Sequence, residues 1–156
     1  MRSVPLPFLS KITLLWTRAR EPGPVSPVKV DSPLPFPWTQ RGEIYNQKIL
    51  AFINGPVTPI DHITDEMYQN PALHREDGTW QAILGVNTSP KHQGKGYASQ
   101  IMKQVIRDAQ AQGRKGCVLT CKPELIAYYE KFGFRNRGKS SSALAGQTWY
   151  DMALLF

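Results

Sequence analysis

The segment from Val86 to Ala98 carries the strongest chemical signal in this chain, because two glycines stand between an apolar run and the start of a helical pattern. Gly94 and Gly96 lack a Cβ, so an anionic group such as a diphosphate can approach the backbone closely. The free N–H groups and the positive dipole end of the following helix favour the same kind of ligand. The segment predicts a phosphate-binding turn, and an ordinary helix start with a flexible turn is the alternative.

Two common nucleotide-binding patterns do not fit this turn. The chain has no Gly-x-x-x-x-Gly-Lys-Ser/Thr sequence, which excludes the P-loop. Ser99 stands where the dinucleotide pattern Gly-x-Gly-x-x-Gly needs its third glycine. What is left is the pattern Gln-x-x-Gly-x-Ala, formed by Gln93, Gly96 and Ala98.

Apolar spacing predicts the elements that position this turn. Residues 80–86 are apolar and bounded by turn residues on both sides, which predicts a buried strand. Apolar residues then recur at helical spacing from Ala98 to Ala109, and Gly113 stands where that helix should stop. A second strand is predicted over residues 116–121, followed by a helix that Pro123 opens.

Shorter elements are predicted on either side of this core. Residues 43–53 favour a hairpin that turns near Asn46, and residues 55–61 favour a loop. Thr64 is the expected N-cap of a short helix. The last strands are expected over residues 134–137 and 148–156, around a loop of small residues.

The second helix ends in Tyr-Tyr-Glu-Lys-Phe-Gly-Phe, and this pattern lies about 35 residues after the glycine turn. Together the two segments resemble the acetyl-CoA signatures of the GNAT acetyltransferase superfamily, in particular the serotonin (arylalkylamine) N-acetyltransferase branch and its small bacterial relatives. The resemblance spans about residues 43–156. It implies an α/β (α+β) fold with a mixed, mostly antiparallel twisted sheet. A V-shaped cofactor cleft flanked by helices is expected, with the N-terminal strand and helices atypical or missing.

The resemblance also implies a function and a binding mode. Acetyl-CoA is the expected cosubstrate, and its acetyl group is expected to move directly to a primary amine of a small molecule. Backbone groups of Leu84, Gly85 and Val86 would pair with the pantetheine amides, and a backbone N–H near Leu84 would face the thioester oxygen. The diphosphate would lie on the residues of the glycine turn, which are Gln93, Gly94, Lys95, Gly96, Tyr97 and Ala98.

Tyr129 is the predicted catalytic residue. It aligns with the family tyrosine whose hydroxyl meets the cofactor sulfur, and a phenol with a pKa near 10 can donate a proton to a thiolate leaving group. A core tyrosine with a satisfied hydroxyl is the alternative. Its neighbour Tyr128 is expected to pack elsewhere on the helix. A covalent route through Cys121 ranks lower, because no activating base or cation is evident in the sequence.

The general base is not identified. The serotonin acetyltransferase branch has two histidines on the signature strand, and Trp80 and Ala82 occupy those positions here. The three histidines of this chain, His62, His74 and His92, are expected to be solvated loop residues. His92 would lie near the phosphates, and His74 could reach an acceptor through water. The alternative function is a catalytically weak acyl-CoA-binding remnant of the family with an altered N-terminus.

Composition limits the partners. With 156 residues, 41% hydrophobic and 20% charged, the chain suits one folded domain. The net charge of +7 suits a polyanion such as coenzyme A or a nucleic acid. The basic run at residues 135–139 is expected to be a solvated turn, so no nucleic-acid partner is predicted. No apolar run is long enough for a membrane span, and the expected location is the cytoplasm.

The two cysteines are expected to be buried strand residues. Cys117 and Cys121 would point to the same side of a strand but lie ~13 Å apart, at about 3.3 Å per residue. That distance is too long for a disulfide, and two thiols without a nearby histidine make a poor zinc site, so no metal is predicted. Whether the chain forms a homodimer stays open.

Residues 1–42 differ in character from the predicted acetyltransferase domain at residues 43–156. Proline this dense prevents regular helix and favours extended chain. We expect the segment to pack poorly, so that a chain starting near Gln40 keeps its cofactor affinity. The alternative is that the reading frame upstream of Gln40 is not the ancestral one. Eight of the 13 prolines lie in this segment, at Pro5, Pro7, Pro22, Pro24, Pro27, Pro33, Pro35 and Pro37.

Overall fold

The computed structural model describes residues 50–156 and, in the first 49 residues, only the backbone of two short strands. These strands, β1 (Trp16–Thr17) and β2 (Pro27–Val28), pair antiparallel with each other. The boundary expected at residue 42, the first arm of the expected hairpin and the packing of the first 40 residues lie outside the described residues.

Seven strands and two α-helices follow between residues 50 and 156. Short 3-10 helices lie between them, at Asp65–Tyr68, Pro71–Leu73, Pro90–His92, Pro123–Leu125 and Leu144–Gly146. In chain order the strands and α-helices are β3 (Ala51–Asn54), β4 (Val57–Thr58), β5 (Trp80–Ile83), β6 (Gly85–Thr88), α1 (Tyr97–Ala111), β7 (Gly116–Cys121), α2 (Ile126–Glu130), β8 (Arg135–Lys139) and β9 (Tyr150–Leu155).

The main sheet has five strands in the order β4-β5-β7-β9-β8. Within it β5 and β7 run parallel, and the other neighbours run antiparallel. A separate antiparallel ladder joins β3 to β6. The helix between β5 and β7 supplies the crossover that a parallel pair needs. The expected mixed, mostly antiparallel α+β fold is confirmed.

The two faces of the main sheet are covered differently. The helix face packs against α1 and α2, and its core includes Ile83, Leu119, Met152, Val105 and Tyr129. The opposite face, which we call the loop face, packs against residues 60–73. Its core contains Ala82, Val118 and Ala153 from three adjacent strands, together with Ile63, Met67 and Trp80. Because side chains alternate along a strand, β5, β7 and β9 each contribute to both cores.

Helix α1 begins and ends at the glycines that the sequence predicts. Gly96 is its N-cap with φ of 84°, and Gly113 follows its end with φ of 72°. The Arg114 N–H donates to the Ala109 carbonyl at 3.0 Å, which closes the last turn. Within the described residues, neither helix is long and apolar enough to cross a membrane.

Several element boundaries differ from the expectations. Val57–Thr58 forms a short strand inside the expected loop. The basic run at residues 135–139 is exposed as expected, but it is not a turn: it forms the edge strand β8, in agreement with the strand expected over residues 134–137. Thr64 does precede a helix, but the helix is a 3-10 turn and the Thr64 side chain makes no capping bond. The strand expected over residues 80–86 is divided into β5 and β6, and this division shapes the site.

Candidate active site

The division between β5 and β6 is a bulge centred on Leu84. Ala82 and Leu84 pack on the loop-face core, whereas Ile83 and Val86 pack on the helix-face core. Strict alternation would put Gly85, not Val86, on the same face as Ile83. One extra residue therefore lies between Ile83 and Val86, which is the definition of a bulge. The bulge explains why β5 pairs with β7 whereas β6 pairs with β3.

A cleft opens where β6, which follows β5 after the bulge, separates from β7. The parallel pairing of β5 with β7 ends at Ile83 and Leu119, although β7 continues to Cys121. Beyond that pair, β6 turns away to β3 and leaves an edge of each strand facing the gap. This gap is the V-shaped cleft that the resemblance implied.

The backbone of Val86 faces this gap. The Ser89 N–H donates to the Leu50 carbonyl at 2.6 Å, and Val86 is in register with Ile53. Along an antiparallel strand, the backbone N–H and C=O groups of successive residues point to opposite sides. Every second residue counted from Ser89 therefore directs these groups towards β3. Val86 is not one of those residues, so its backbone groups point away from β3. The Leu84 N–H already donates to the Asn54 carbonyl at 2.8 Å. A donor for a thioester oxygen therefore has to come from a neighbour of Leu84.

The wall of the gap at β6 is made by close contact between Gly85 and Asn54. A Cβ at Gly85 would overlap the Asn54 Oδ1, which is itself buried and has no hydrogen-bond partner among the described residues. A larger residue here would have to displace the Asn54 side chain, so Gly85 lets Asn54 lie close against the strand at the bulge.

The glycine turn lies at the exposed start of α1. Gly94 and Gly96 have positive φ values of 74° and 84°, and a Cβ at either position would meet no atom within 4 Å. The space beside both glycines is therefore open to a ligand. No side chain of the described residues caps the helix, so the N–H groups of Ala98 and Ser99 lack the capping partner that a Ser or Asp at Gly96 would supply. This arrangement suits a diphosphate.

Tyr129 lies on the helix face, at the end of β7 that borders the gap. It is only 7% exposed, and its ring packs edge-to-face on Tyr128 and Phe134. Burial raises the pKa of Tyr129 well above its usual range, and the neighbouring Tyr128, Cys121 and Tyr68 add to the increase. The phenol therefore stays protonated at neutral pH and has a proton to donate, although its raised pKa makes it a weaker acid than a solvated tyrosine.

Tyr128 makes a contact that the sequence did not predict. Its hydroxyl and the Ser99 Oγ form a hydrogen bond of 3.1 Å, which joins α2 to the first turn of α1. The expectation that Tyr128 packs elsewhere on the helix is wrong, because its ring lies edge-to-face against Tyr129 with 5.1 Å between the ring centres. Tyr128 holds the helix that carries Tyr129 against the glycine turn.

Comparison with known proteins agrees with this geometry. Residues 14–134 match the model of the acetyltransferase (GNAT) family. The chain belongs to this family. The match begins at residue 14, so it includes part of the proline-rich segment that the resemblance had left out.

Relatives of this GNAT chain share its fold at low identity. Serotonin N-acetyltransferase of Mesocricetus auratus is 27% identical over 118 residues, which cover 74% of this chain and 52% of that protein. The chain thus spans about half the length of this curated relative.

Two solved structures illustrate the similarity of fold. Arabidopsis thaliana Naa50 in complex with the bisubstrate analogue CoA-Ac-MVNAL has a TM-score of 0.54 at 17% identity, covering 72% of this chain and 69% of Naa50. A spermidine N-acetyltransferase SpeG chimera from Vibrio cholerae and hSSAT has a TM-score of 0.51 at 16% identity, covering 71% of this chain and 62% of the chimera.

Both cysteines of the GNAT domain are free and buried in the helix-face core. The Cys121 Sγ contacts the Met152 Sδ at 3.4 Å. Burial, and then the nearby Glu124, raise the pKa of Cys121 to about 11, and burial raises the pKa of Cys117 to about 12. Neither thiol is activated as a nucleophile.

The histidines lie in three different environments. His62 is exposed and contacts Asp61 at 3.2 Å, as expected for a solvated loop residue. His74 is buried, so its expected solvation is wrong: its Nδ1 accepts the Val57 N–H at 3.1 Å. Burial lowers the pKa of His74. His92 is half-buried beside Tyr97, with its Nδ1 unpaired among the described residues.

The positions where the related branch has its histidines are occupied by core residues. Trp80 is 7% exposed and Ala82 is fully buried, both on the loop face. No group of three histidine, cysteine or acidic residues within the described part of the chain could hold a metal ion.

Proposed function

We propose that this protein is an acetyl-CoA-dependent N-acetyltransferase that moves an acetyl group directly to a primary amine of a small molecule. The parting of β6 from β7, beside an uncapped glycine turn, carries the proposal. Acetyl-CoA would supply the acetyl group as an activated thioester. A strand with a free backbone edge suits the amides of pantetheine, and the open start of α1 suits a diphosphate.

The residues of the site would then have separate tasks. Val86 would pair with pantetheine through its backbone, and the turn at residues 93–98 would hold the diphosphate. A backbone N–H next to Leu84 would stabilise the oxyanion that forms when the amine attacks the thioester carbon. As the carbon–sulfur bond breaks, Tyr129 would give its proton to the leaving sulfur. The amine must lose one proton, and no residue is assigned to accept it.

A catalytically weak acyl-CoA-binding protein is the second candidate. The observation that favours it is the burial of Trp80 and Ala82 at the positions where the related branch has its histidines. Such a protein would keep the cofactor cleft but transfer acetyl groups slowly.

Cofactor binding can be tested with two glycine variants that carry the same backbone strain. Gly96→Val places a branched side chain at positive φ in the open space beside the turn, and should weaken acetyl-CoA binding sharply. Gly113→Val is the matched control, because Gly113 also has a positive φ and open space but lies at the opposite end of α1. Both variants should lose similar stability, and only Gly96→Val should lose affinity in calorimetry. Equal affinities in two folded variants would contradict the assigned diphosphate site.

Turnover separates the two candidate functions. Wild-type protein that binds acetyl-CoA should release free thiol in the presence of at least one member of a panel of primary amines. Binding without release of thiol across the panel would favour the acyl-CoA-binding protein.

A further inference from the structure

The chain turns a corner between β3 and β4, beside the bulge at Leu84. The corner consists of Gly55 and Pro56, and backbone hydrogen bonds hold the chain on both sides of it. The Ala82 N–H donates to the Pro56 carbonyl at 2.9 Å, and the Leu84 N–H donates to the Asn54 carbonyl at 2.8 Å. Because β4 belongs to the main sheet whereas β3 pairs with β6, this corner sets the direction in which the β3–β6 ladder leaves the sheet.

Proline leaves one carbonyl at the corner without its usual donor. In a hydrogen-bonded antiparallel pair, the two residues exchange both N–H···O bonds. Pro56 accepts the Ala82 N–H but has no N–H to return. The chain instead brings the Gly55 Cα against the Ala82 carbonyl, so closely that a Cβ on Gly55 would overlap the carbonyl oxygen. The Ala82 carbonyl therefore needs a donor from a side chain.

Gln81 supplies that donor. Its Nε2 lies 2.9 Å from the Ala82 carbonyl oxygen, 3.2 Å from that of Pro56 and 3.3 Å from that of Gly55. The side chain is only 2% exposed, and its Oε1 has no partner among the described residues. A buried amide with an unpaired oxygen costs free energy that an apolar side chain would not. The amide is thus placed for the three carbonyls of the corner and not for packing alone.

We propose that Gln81 is a positioning residue, whose side-chain amide holds the corner at the angle that opens the cleft to the width of pantetheine. The inference rests on the proposed acetyltransferase function and concerns the same cleft. Among the described strands β6 pairs with β3 alone, so β6 follows any movement of the corner. Val86 on β6 would then shift relative to β7 and lose its alignment with the pantetheine amides. The diphosphate would be affected less, because it would lie on the glycine turn at the start of α1.

The test compares CoA with adenosine 3′-phosphate 5′-diphosphate, which is the nucleotide half of CoA without pantetheine. Gln81→Met keeps the length of the side chain and removes its donors. The variant should bind CoA at least about 5-fold more weakly, as expected for the loss of one hydrogen bond to pantetheine, and should bind the nucleotide like wild-type protein. Calorimetry measures CoA affinity, and NMR titration measures the weaker nucleotide affinity. A merely structural role would lower the folded fraction and weaken both ligands equally, which leaves the ratio of their affinities unchanged.

A second variant moves the corner without removing a donor. Gly55→Ala forces the chain away from the Ala82 carbonyl and should lower the ratio of CoA affinity to nucleotide affinity in the same way. Gly116→Ala is the matched control, because its Cβ would overlap the Leu154 carbonyl oxygen to the same degree, at the end of β7 opposite the cleft. Both glycine variants should lose stability, and only Gly55→Ala should change the ratio.

Amide hydrogen exchange of wild-type protein tests the corner without any substitution. If Gln81 holds the corner before the cofactor binds, the N–H groups of Ala82 and Leu84 should exchange as slowly without ligand as the amides at the centre of β7. Exchange as fast as that of exposed loop amides would show that the corner opens by itself, and would contradict the inference even if no variant folds.

Two binding results would also overturn the inference: Gln81→Met keeps the wild-type ratio of affinities, or Gly116→Ala changes the ratio as much as Gly55→Ala does. If Gln81→Met does not fold, a wild-type ratio in Gly55→Ala overturns it instead. The titration of wild-type protein with CoA reports on the proposed function separately. Failure to bind CoA would reject that function and the inference with it, whereas normal CoA binding with any of the contrary results rejects only the role of Gln81.

Discussion

Replacing Tyr129 with phenylalanine should lower kcat by about 10²–10⁴-fold and leave acetyl-CoA affinity nearly unchanged. The hydroxyl is the only group removed. If it protonates the departing thiolate, its loss affects the transition state and not the binding of the cofactor.

The structure allows the catalytic effect to be separated from a loss of folding. The Tyr129 ring packs on Tyr128 and Phe134, with ring centres 5.1 Å and 6.1 Å away, and phenylalanine keeps both contacts. Removing one hydroxyl from such a site changes the free energy of unfolding by about 1.5 kcal/mol at most. A 10²–10⁴-fold loss of rate corresponds to ~2.7–5.4 kcal/mol of barrier. The catalytic effect is therefore the larger one.

The assay is thiol release at saturating acetyl-CoA, alongside thermal melting and CoA calorimetry of the same preparations. Tyr128→Phe is the matched control, because it removes the neighbouring hydroxyl and its bond to Ser99. It should change the melting temperature slightly and kcat by only a few fold. The reasoning would be refuted if Tyr129→Phe turned over like wild-type protein, or if Tyr128→Phe lost as much activity.

Two further predictions concern the buried thiols. Cys121→Ala should leave turnover largely unchanged, because burial raises the pKa of the Cys121 thiol to about 11 and leaves little thiolate to attack a thioester. Loss of turnover in a folded Cys121→Ala variant would support a covalent route instead. The free energy of unfolding should fall as pH rises above about 9, because the thiols ionise near 9 when unfolded but hold their protons to about 11 and 12 when folded. Each thiol contributes up to ~1.4 kcal/mol per pH unit in that window. Urea titrations should therefore give a lower free energy of unfolding at pH 10 than at pH 8, and Cys117→Ala should reduce this difference. Equal free energies of unfolding at the two pH values would contradict the burial of these thiols.

The parts of the site that depend on local sequence could be predicted. The order of strand, glycine turn and helix is encoded within a few residues, and Gly96 and Gly113 do take the positive φ values that mark the two ends of α1. Pro123 likewise occupies the first turn of its helix. These positions follow from backbone conformation alone, so neighbouring residues are enough to identify them.

The parts that depend on distant residues could not be predicted. The bulge at Leu84 lies in a mostly apolar run, and its one polar residue, Gln81, is itself buried, so the pattern does not mark which side chains face which core. The burial of His74 depends on the backbone of Val57, 17 residues away. The register that places Asp151 between Thr120 and Gly138 joins three strands, and the pattern of a single strand does not contain it.

Two tyrosines and one cysteine near the end of β7 that borders the cleft stay protonated at neutral pH. Burial raises the pKa of Tyr68, Tyr129 and Cys121 alike, so all three are protonated at neutral pH. The same desolvation acts on any thiolate formed beside them, which makes that thiolate take a proton more readily than it would in water. Burial therefore makes Tyr129 a weaker acid and the leaving thiolate a stronger base at the same time, so the two effects on the proposed proton transfer oppose each other. A base that takes a proton from the amine is not identified, because Trp80 and Ala82 occupy the positions where the related branch has its histidines. The fate of that one proton decides between an efficient acetyltransferase and a slow one that mainly binds acyl-CoA.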